Sequence, residues 1–148
     1  MAKAFNVGVV AWAPLASGVL TGKYHGEGKA EGARLSGEGM KDFVPEEKRA
    51  TRIVSALKSD STQVGRSMAQ VALAWLHYRM TPVIPIIGAR KVSQLQDNLA
   101  SLDLELSAKQ LKSLDEASRI EPGFPERLFE KEMVRSIRYG GTRDRLLL

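Results

Sequence analysis

Two short runs rich in valine and isoleucine constrain the fold of this chain more than any other feature of its sequence. The first is "VGVVAW" at residues 7–12, and the second is "VIPIIG" at residues 83–88. Both are nearly continuous in apolar residues, which is typical of parallel strands that are buried on both faces. Pro85 fits best near a strand end or a bulge, because proline has no N–H to donate to a neighbouring strand. The sequence therefore predicts two buried parallel strands.

Helical patterns separate and follow these strands. A glycine-rich stretch at residues 14–45 reads as a long irregular loop, and "PEEKRATRIVSALKS" after it reads as an amphipathic helix. "SMAQVALAWLHYRM" is apolar nearly all round, as in a helix sandwiched within a fold. Two more helices follow: "RKVSQLQDNLASL" has Leu95 and Leu99 on its expected core face, and "SAKQLKSLDEAS" opens with a capping box of Ser107 and Gln110. This order predicts parallel α/β architecture, for which two strands are too few by themselves.

Composition excludes several classes of protein. The chain has 148 residues and no cysteine, so disulfides and thiolate metal sites are excluded, and a cytoplasmic location is the default. Its two histidines, His25 and His77, are too few for a histidine-rich metal centre, so no metal is expected. No apolar run approaches the roughly 20 residues of a membrane span. The net charge of +5 is spread along the chain, which favours a small polyanion over a nucleic-acid backbone as the partner.

The stretch "AWAPLASGVLTGKY", residues 11–24, superficially resembles a nucleoside-triphosphate loop. Such a loop requires glycine, four residues, then Gly-Lys and a serine or threonine that holds magnesium. Here only three residues separate Gly18 from Gly22, and Tyr24 follows Lys23 where the hydroxyl residue should stand. A triphosphate loop is therefore rejected.

The junction after the second run is the most informative place for chemistry. A strand ends at Gly88 and a helix begins about four residues later, so unpaired amides and the positive end of the helix dipole favour an anion there. Arg90 lies at that end, and Gln94 and Asn98 share one helical stripe with Asp97 beside it. A phosphate at the arginine, with the polar side chains reading a ribose or adenine, is a coherent site. The alternative is a solvated helix start with ordinary surface residues.

The first junction offers an aromatic group. Trp12 ends the first run and precedes Pro14, so its indole can stand at the carboxyl end of a strand, where parallel-sheet proteins bind ligands. A flat ring there can stack on a planar heterocycle, although the spacing alone favours a tryptophan packed in the core. Ser17 and the amides near Gly18 can hold phosphates, with Lys23 above them. No nucleophile–base constellation is found.

Taken together, "AWAPLASGVLTGKY", "MAQVALAWL" and "IIGARKVSQLQDNL" resemble, in order and spacing, the C-terminal portion of aldo-keto reductases. The resemblance is to the branch shared with voltage-gated potassium-channel beta subunits and bacterial reductases. It implies a partial (β/α)8 TIM barrel in which residues 7–12 and 83–87 are the seventh and eighth strands. Residues 1–120 would be the C-terminal part of the barrel, and residues 121–148 a tail with one helix at 126–138.

The resemblance also implies an NADP(H) site. By motif position Trp12 would stack on the nicotinamide, Lys23 and Arg34 would close over the pyrophosphate, and Gly88 and Arg90 would meet the adenosine phosphate. The full set of residues implied to contact the cofactor is Trp12, Ala13, Pro14, Leu15, Ser17, Lys23, Arg34, Gly88, Arg90, Gln94, Asp97 and Asn98.

The family's catalytic aspartate, tyrosine, lysine and histidine come from the N-terminal half of the barrel, and Tyr24, Tyr78 and Tyr139 do not match its tyrosine. No catalytic residue is therefore assigned. The expectation is a cofactor-binding portion of a carbonyl reductase that is inactive alone. The alternative is a non-catalytic or regulatory module that self-associates or joins a complementary N-terminal half-barrel, with no nucleic-acid or membrane partner.

Overall fold

The structure is a computed structural model that describes residues 1–24, 47–121, 123–129, 131–140, 142 and 145. The chain divides into two compact units, Met1–Ser118 and Arg119–Leu148. The first unit contains strands and helices in the order β1 (Val9–Ala11), α1 (Glu47–Val64), α2 (Met68–His77), β2 (Val83–Pro85), α3 (Val92–Leu99) and α4 (Ala108–Ser118). Short 3₁₀ helices form at Lys3–Phe5, Ala16–Thr21 and Ala100–Asp103. None of the helices in the described ranges is long and apolar enough to cross a membrane.

The two strands pair in parallel, as the sequence predicts. Val9 lies opposite Val83, and Ala11 opposite Pro85, in the register of the sheet. One hydrogen bond extends the pairing at the carboxyl end, where the Ile86 amide donates to the Ala11 carbonyl at 2.9 Å. Each strand has three residues, fewer than the runs that predict it. Pro85 is the last residue of its strand, as predicted, and its nitrogen faces away from β1 because the next amide, that of Ile86, faces β1. Residues 25–46 of the predicted loop lie outside the described part of the chain.

The core of the first unit lies between helices. Leu57 of α1, Val71 of α2 and Leu114 of α4 are all buried there, and Leu57 is only 2% exposed. Helix α2 is buried over most of its circumference, as its apolar composition predicts. The helices carry the core because two short strands offer too little surface to support one.

Hydrogen bonds define the helix ends. Ser67 caps α2, and its hydroxyl accepts a hydrogen bond from the Gln70 amide at 3.1 Å. The capping box predicted for α4 is present: the Ser107 amide donates to Gln110 Oε1 at 2.9 Å, and the Gln110 amide donates to the Ser107 hydroxyl at 3.3 Å. The capping box of α4 needs only four consecutive residues, so the sequence alone predicts it.

Helix α3 is oriented differently from the prediction. Leu95 and Leu99, assigned to the core face, are 42% and 47% exposed, whereas Asn98 is only 6% exposed. The polar side of the helix packs towards α2, because Asp97 accepts hydrogen bonds from Ser67 and Gln70 there. No further strand lies beneath the leucines in the described residues, so the apolar stripe has nothing to pack on.

Within the described part of the chain, one face of the sheet is covered and the other is exposed, whereas burial on both faces is the prediction. Alternate residues of the strands, Val9 and Val83 among them, are half-buried on the side where α2 packs beside β2. On the opposite face Val10, Ile84 and Ile86 are exposed. Since side chains alternate along a strand, the described residues cover one side and leave a row of apolar side chains on the other.

The second unit contains two helices, α5 (Glu126–Phe129) and α6 (Glu132–Tyr139), in place of the single helix predicted at residues 126–138. The break falls at Lys131, whose extended backbone (φ −66°, ψ 131°) precedes α6.

Candidate functional site at the carboxyl edge of the strands

Trp12 and the segment after β2 leave the same edge of the sheet. Ala11 is the last residue of β1, and its carbonyl accepts the hydrogen bond from the Ile86 amide just after β2. Trp12, which directly follows Ala11, therefore lies at the same edge as the segment after β2. The Trp12 side chain is 72% exposed. The indole is therefore a surface group at the carboxyl ends of two parallel strands, where such sheets bind ligands, and a core position for this tryptophan is excluded.

The backbone after Trp12 is sharply folded. Ala13, Ala16 and Ser17 adopt positive φ angles of 50°, 48° and 55°, and Gly18 has φ 94°. Left-handed conformations cost a non-glycine residue roughly 1–2 kcal/mol each, so surrounding contacts must hold them. Two turns do so here: the Ala16 amide donates to the Ala13 carbonyl at 2.8 Å, and the Gly18 amide to Leu15 at 2.9 Å.

The Lys23 ammonium lies over this turn. A Cβ added at Gly18 would stand 2.5 Å from Lys23 Nζ, so a side chain there would displace the end of the lysine from its position over the turn. Lys23 Nζ also lies 5.0 Å from the centroid of the Tyr24 ring, whose hydroxyl donates to the Ser17 carbonyl at 3.2 Å. The fold thus brings Ser17, Gly18 and Lys23 together and places an exposed positive charge on a tightly turned backbone.

The start of α3 carries the second group of cations. Arg90 and Lys91 are exposed, and no atom of the described residues lies within 4 Å of a Cβ added at Gly88. The Gln94 side chain folds back, and its Oε1 accepts hydrogen bonds from the amides of Arg90 at 2.9 Å and Lys91 at 3.3 Å. An anion that uses these amides must displace the glutamine oxygen. Gln94 therefore stabilises the start of α3 in this structure. Its spacing along the helix does not predict this role.

Asp97 and Asn98 lie on the inner side of α3. The Asp97 carboxylate accepts hydrogen bonds from the Ser67 hydroxyl and the Gln70 side-chain amide, both at 2.8 Å. Their contact with an adenosine group stays a prediction, and it now has a structural alternative, which is the attachment of α3 to the start of α2. Arg34 lies outside the described residues.

Other polar groups have structural partners. The Tyr78 hydroxyl accepts a hydrogen bond from the Leu106 amide at 3.0 Å. Asp115 of α4 accepts hydrogen bonds from Trp75 Nε1 at 2.8 Å and from Arg79 at 2.7 Å, and these bonds join α2 to α4. Within the described ranges no group of three or more histidine, aspartate or glutamate side chains is placed to hold a metal ion.

Asp60 is a buried titratable group that the sequence analysis missed. Burial raises the pKa of its carboxyl, while a hydrogen bond from Ser113 and the charge of Lys109 oppose that rise. Its Oδ2 atom is buried and has no hydrogen-bond partner among the described residues. No signal in the local sequence marks it, because its environment is formed by α4, about 50 residues further along the chain.

The fold and this site define an α/β protein with an indole and positively charged side chains beyond the carboxyl ends of two parallel strands. The model of the Aldo/keto reductase family matches residues 1–119. The chain therefore belongs to the aldo/keto reductase family, whose fold is the (β/α)8 barrel.

Curated relatives agree with this assignment. An uncharacterized oxidoreductase of Mycobacterium tuberculosis is 36% identical over 132 residues, which is 86% of this chain and 38% of the relative. L-glyceraldehyde 3-phosphate reductase of Escherichia coli is 38% identical over 118 residues, 75% of this chain and 33% of the enzyme. A probable voltage-gated potassium channel subunit beta of Arabidopsis thaliana is 32% identical over 125 residues, 82% of this chain and 38% of the subunit. The chain thus spans less than two-fifths of the length of these relatives.

Proposed function

We propose that this chain is the NADP(H)-binding, C-terminal portion of an aldo-keto reductase, with β1 and β2 as the last two strands of a (β/α)8 barrel. The observation that carries the proposal is geometric: the loops bearing Trp12 and Arg90 leave the same carboxyl edge of a parallel strand pair. The family generally uses NAD(P)H, and an extended dinucleotide has an aromatic ring and phosphates that match an indole and two separated cations.

Different side chains of the described residues can contact different parts of the coenzyme. Trp12 offers its exposed face to the nicotinamide, and Lys23 with the turn at Ser17 and Gly18 offers a positive charge to the pyrophosphate. Arg90 offers a guanidinium to the adenosine phosphate. Bound there, the coenzyme would supply a hydride to an aldehyde or ketone. Gln94 would release the amides of residues 90 and 91 as the phosphate approaches.

We further propose that the chain alone does not reduce carbonyl compounds appreciably. Proton delivery in this family needs a tyrosine acid, and Tyr78 instead accepts a hydrogen bond from the Leu106 amide in the first unit. A cytoplasmic location belongs to the same proposal.

The alternative function is a non-catalytic module that associates with another chain. The exposed apolar row of Val10, Ile84 and Ile86 favours it, because parallel sheets normally have both faces covered. A chain that supplies the remaining strands of a barrel is the partner that fits this face.

Isothermal titration calorimetry with NADPH tests the leading proposal. Trp12→Ala and Lys23→Ala should each weaken binding at least about fivefold, since a stacking contact or a charged phosphate contact contributes roughly 1–3 kcal/mol. Lys112→Ala is the matched control, because Lys112 is exposed on α4, where it forms an ion pair with Glu116 at 3.8 Å. Equal effects of Lys23→Ala and Lys112→Ala, or no binding by the unmodified chain, would contradict the cofactor site. Robust NADPH oxidation with a panel of aldehydes would contradict the proposed inactivity.

A further inference from the structure

Tyr24 directly follows Lys23, and its side chain contacts three parts of the first unit. Its hydroxyl donates a hydrogen bond to the Ser17 carbonyl at 3.2 Å, and its ring centroid lies 5.0 Å from Lys23 Nζ. The partly buried ring also packs against a hydrophobic cluster that joins the turn to α1 and consists of Val19, Ala50 and Val54. One side chain therefore connects the core, the folded backbone and the cation.

The hydroxyl of Tyr24 supports the backbone beneath the lysine. Ser17 has a left-handed conformation (φ 55°, ψ 22°), which is unfavourable for a residue other than glycine and must be held by surrounding contacts. The Tyr24 hydroxyl holds the Ser17 carbonyl, and the Thr21 hydroxyl donates to the next carbonyl, that of Gly18, at 2.7 Å. The Lys23 ammonium lies over these two successive residues. The bond from Tyr24 thus fixes the surface on which the ammonium lies.

The ring of Tyr24 holds the ammonium without neutralising it. An aromatic face attracts a cation through the ring quadrupole, and it carries no net charge of its own. Lys23 is exposed, and in the described part of the chain no carboxylate forms an ion pair with it. The ammonium therefore keeps its charge and its N–H donors for an anion. A long lysine side chain loses rotamer freedom when it binds, so one that is held beforehand binds an anion more tightly.

We propose that Tyr24 is a positioning residue for the coenzyme, which holds the Lys23 ammonium over the turn where the pyrophosphate would bind. The inference rests on the proposed NADP(H) site and adds that Lys23 is ordered before the coenzyme arrives. Tyr24 acts through Lys23 and through the Ser17 backbone. Its hydroxyl already donates to a carbonyl, so the role is one of position and involves no proton transfer.

Nuclear magnetic resonance without coenzyme tests whether the lysine is held. Protons above an aromatic face are shifted upfield by the ring current, so the methylene protons beside the Lys23 ammonium should resonate upfield of those of Lys112, which is exposed on α4. Tyr24→Phe keeps the ring and should keep this shift. Tyr24→Leu keeps an apolar side chain against the cluster and should abolish the shift. A Lys23 signal that is the same in Tyr24→Leu as in the unmodified chain would overturn the inference.

Isothermal titration calorimetry with NADPH tests the consequence for binding. Tyr24→Leu should weaken binding about threefold to tenfold, because the lysine must then be ordered as the coenzyme binds. Tyr24→Phe should weaken it less, about twofold, because only the hydrogen bond to Ser17 is lost. In a Lys23→Ala background Tyr24→Leu should have almost no further effect, whereas in a Trp12→Ala background it should keep its full effect.

This pair of backgrounds separates positioning from a general loss of structure, which would weaken binding equally in both. Equal losses in the Lys23→Ala and Trp12→Ala backgrounds, or an unchanged affinity of Tyr24→Leu, would contradict the role of Tyr24 while leaving the coenzyme site standing. Absence of NADPH binding by the unmodified chain would instead contradict the proposed function, and the inference about the coenzyme would fall with it. The Lys23 proton shift distinguishes these failures, because it reports the held lysine whether or not NADPH binds.

Discussion

Asp97 offers the sharpest test of how the candidate site is built. Its carboxylate accepts hydrogen bonds at 2.8 Å from the Ser67 hydroxyl and from the side-chain amide of the buried Gln70. A hydrogen bond to a charged group contributes about 1.5–3 kcal/mol to stability, and Asp97 itself is only partly buried. We therefore expect Asp97→Ala to lower the free energy of unfolding by about 3 kcal/mol. That is a large part of the 5–15 kcal/mol typical of a domain.

Urea unfolding followed by circular dichroism measures this loss. Asp97→Asn keeps one carbonyl oxygen, so it should lose less than Asp97→Ala. A double-mutant cycle with Ser67→Ala isolates the Ser67–Asp97 pair, for which a coupling energy of about 1 kcal/mol is expected.

NADPH titration of the same variants separates the structural role from a ligand role. If Asp97 serves to attach α3 to α2, folded Asp97→Ala should lose NADPH affinity only because Arg90, at the start of α3, is displaced. Ser67→Ala removes one of the two hydrogen bonds to Asp97, so its loss of NADPH affinity should be smaller. The reasoning would be refuted if Asp97→Ala kept its stability within about 0.5 kcal/mol, the range of an ordinary surface substitution, yet lost NADPH binding.

Two further predictions concern stability. Leu57→Ala should cost about 3–5 kcal/mol and leave the chain largely unfolded in mild urea, because Leu57 is 2% exposed in the helical core, whereas Leu102→Ala at an exposed position should cost less than about 1 kcal/mol. Asp60→Asn should raise the stability near neutral pH by on the order of 1 kcal/mol, because it removes a buried charge with an unpaired oxygen. Burial raises the pKa of Asp60 in the folded chain above the value of about 3.9 in the unfolded chain. Its stabilising contribution is therefore complete at pH values below the unfolded pKa and is lost as the pH rises through the folded pKa, so the advantage of Asp60→Asn should shrink on acidification. Denaturation curves at several pH values check this, and an advantage that grows at low pH would contradict it.

The parts of the fold that sequence reasoning predicts correctly depend on neighbouring residues. The α4 capping box of Ser107 and Gln110 involves a four-residue segment, and the apolar composition of α2 predicts its burial because it offers almost no polar face. The parallel pairing of the strands also follows from the chain, since a helical connection between two strands favours that direction.

The sequence by itself thus determined the four helices of the first unit, the capping box of α4, the two strands and the residues that leave the carboxyl edge. Only the tertiary structure decided which way α3 faces, where the Gln94 and Asp97 side chains bond, and that Trp12 is exposed. The physical reason is that periodicity reports that a helix has an apolar side but not what covers that side. The partner surface comes from distant residues, and in the described part of this chain it is absent for α3, so the polar side packs inward and the leucines face solvent.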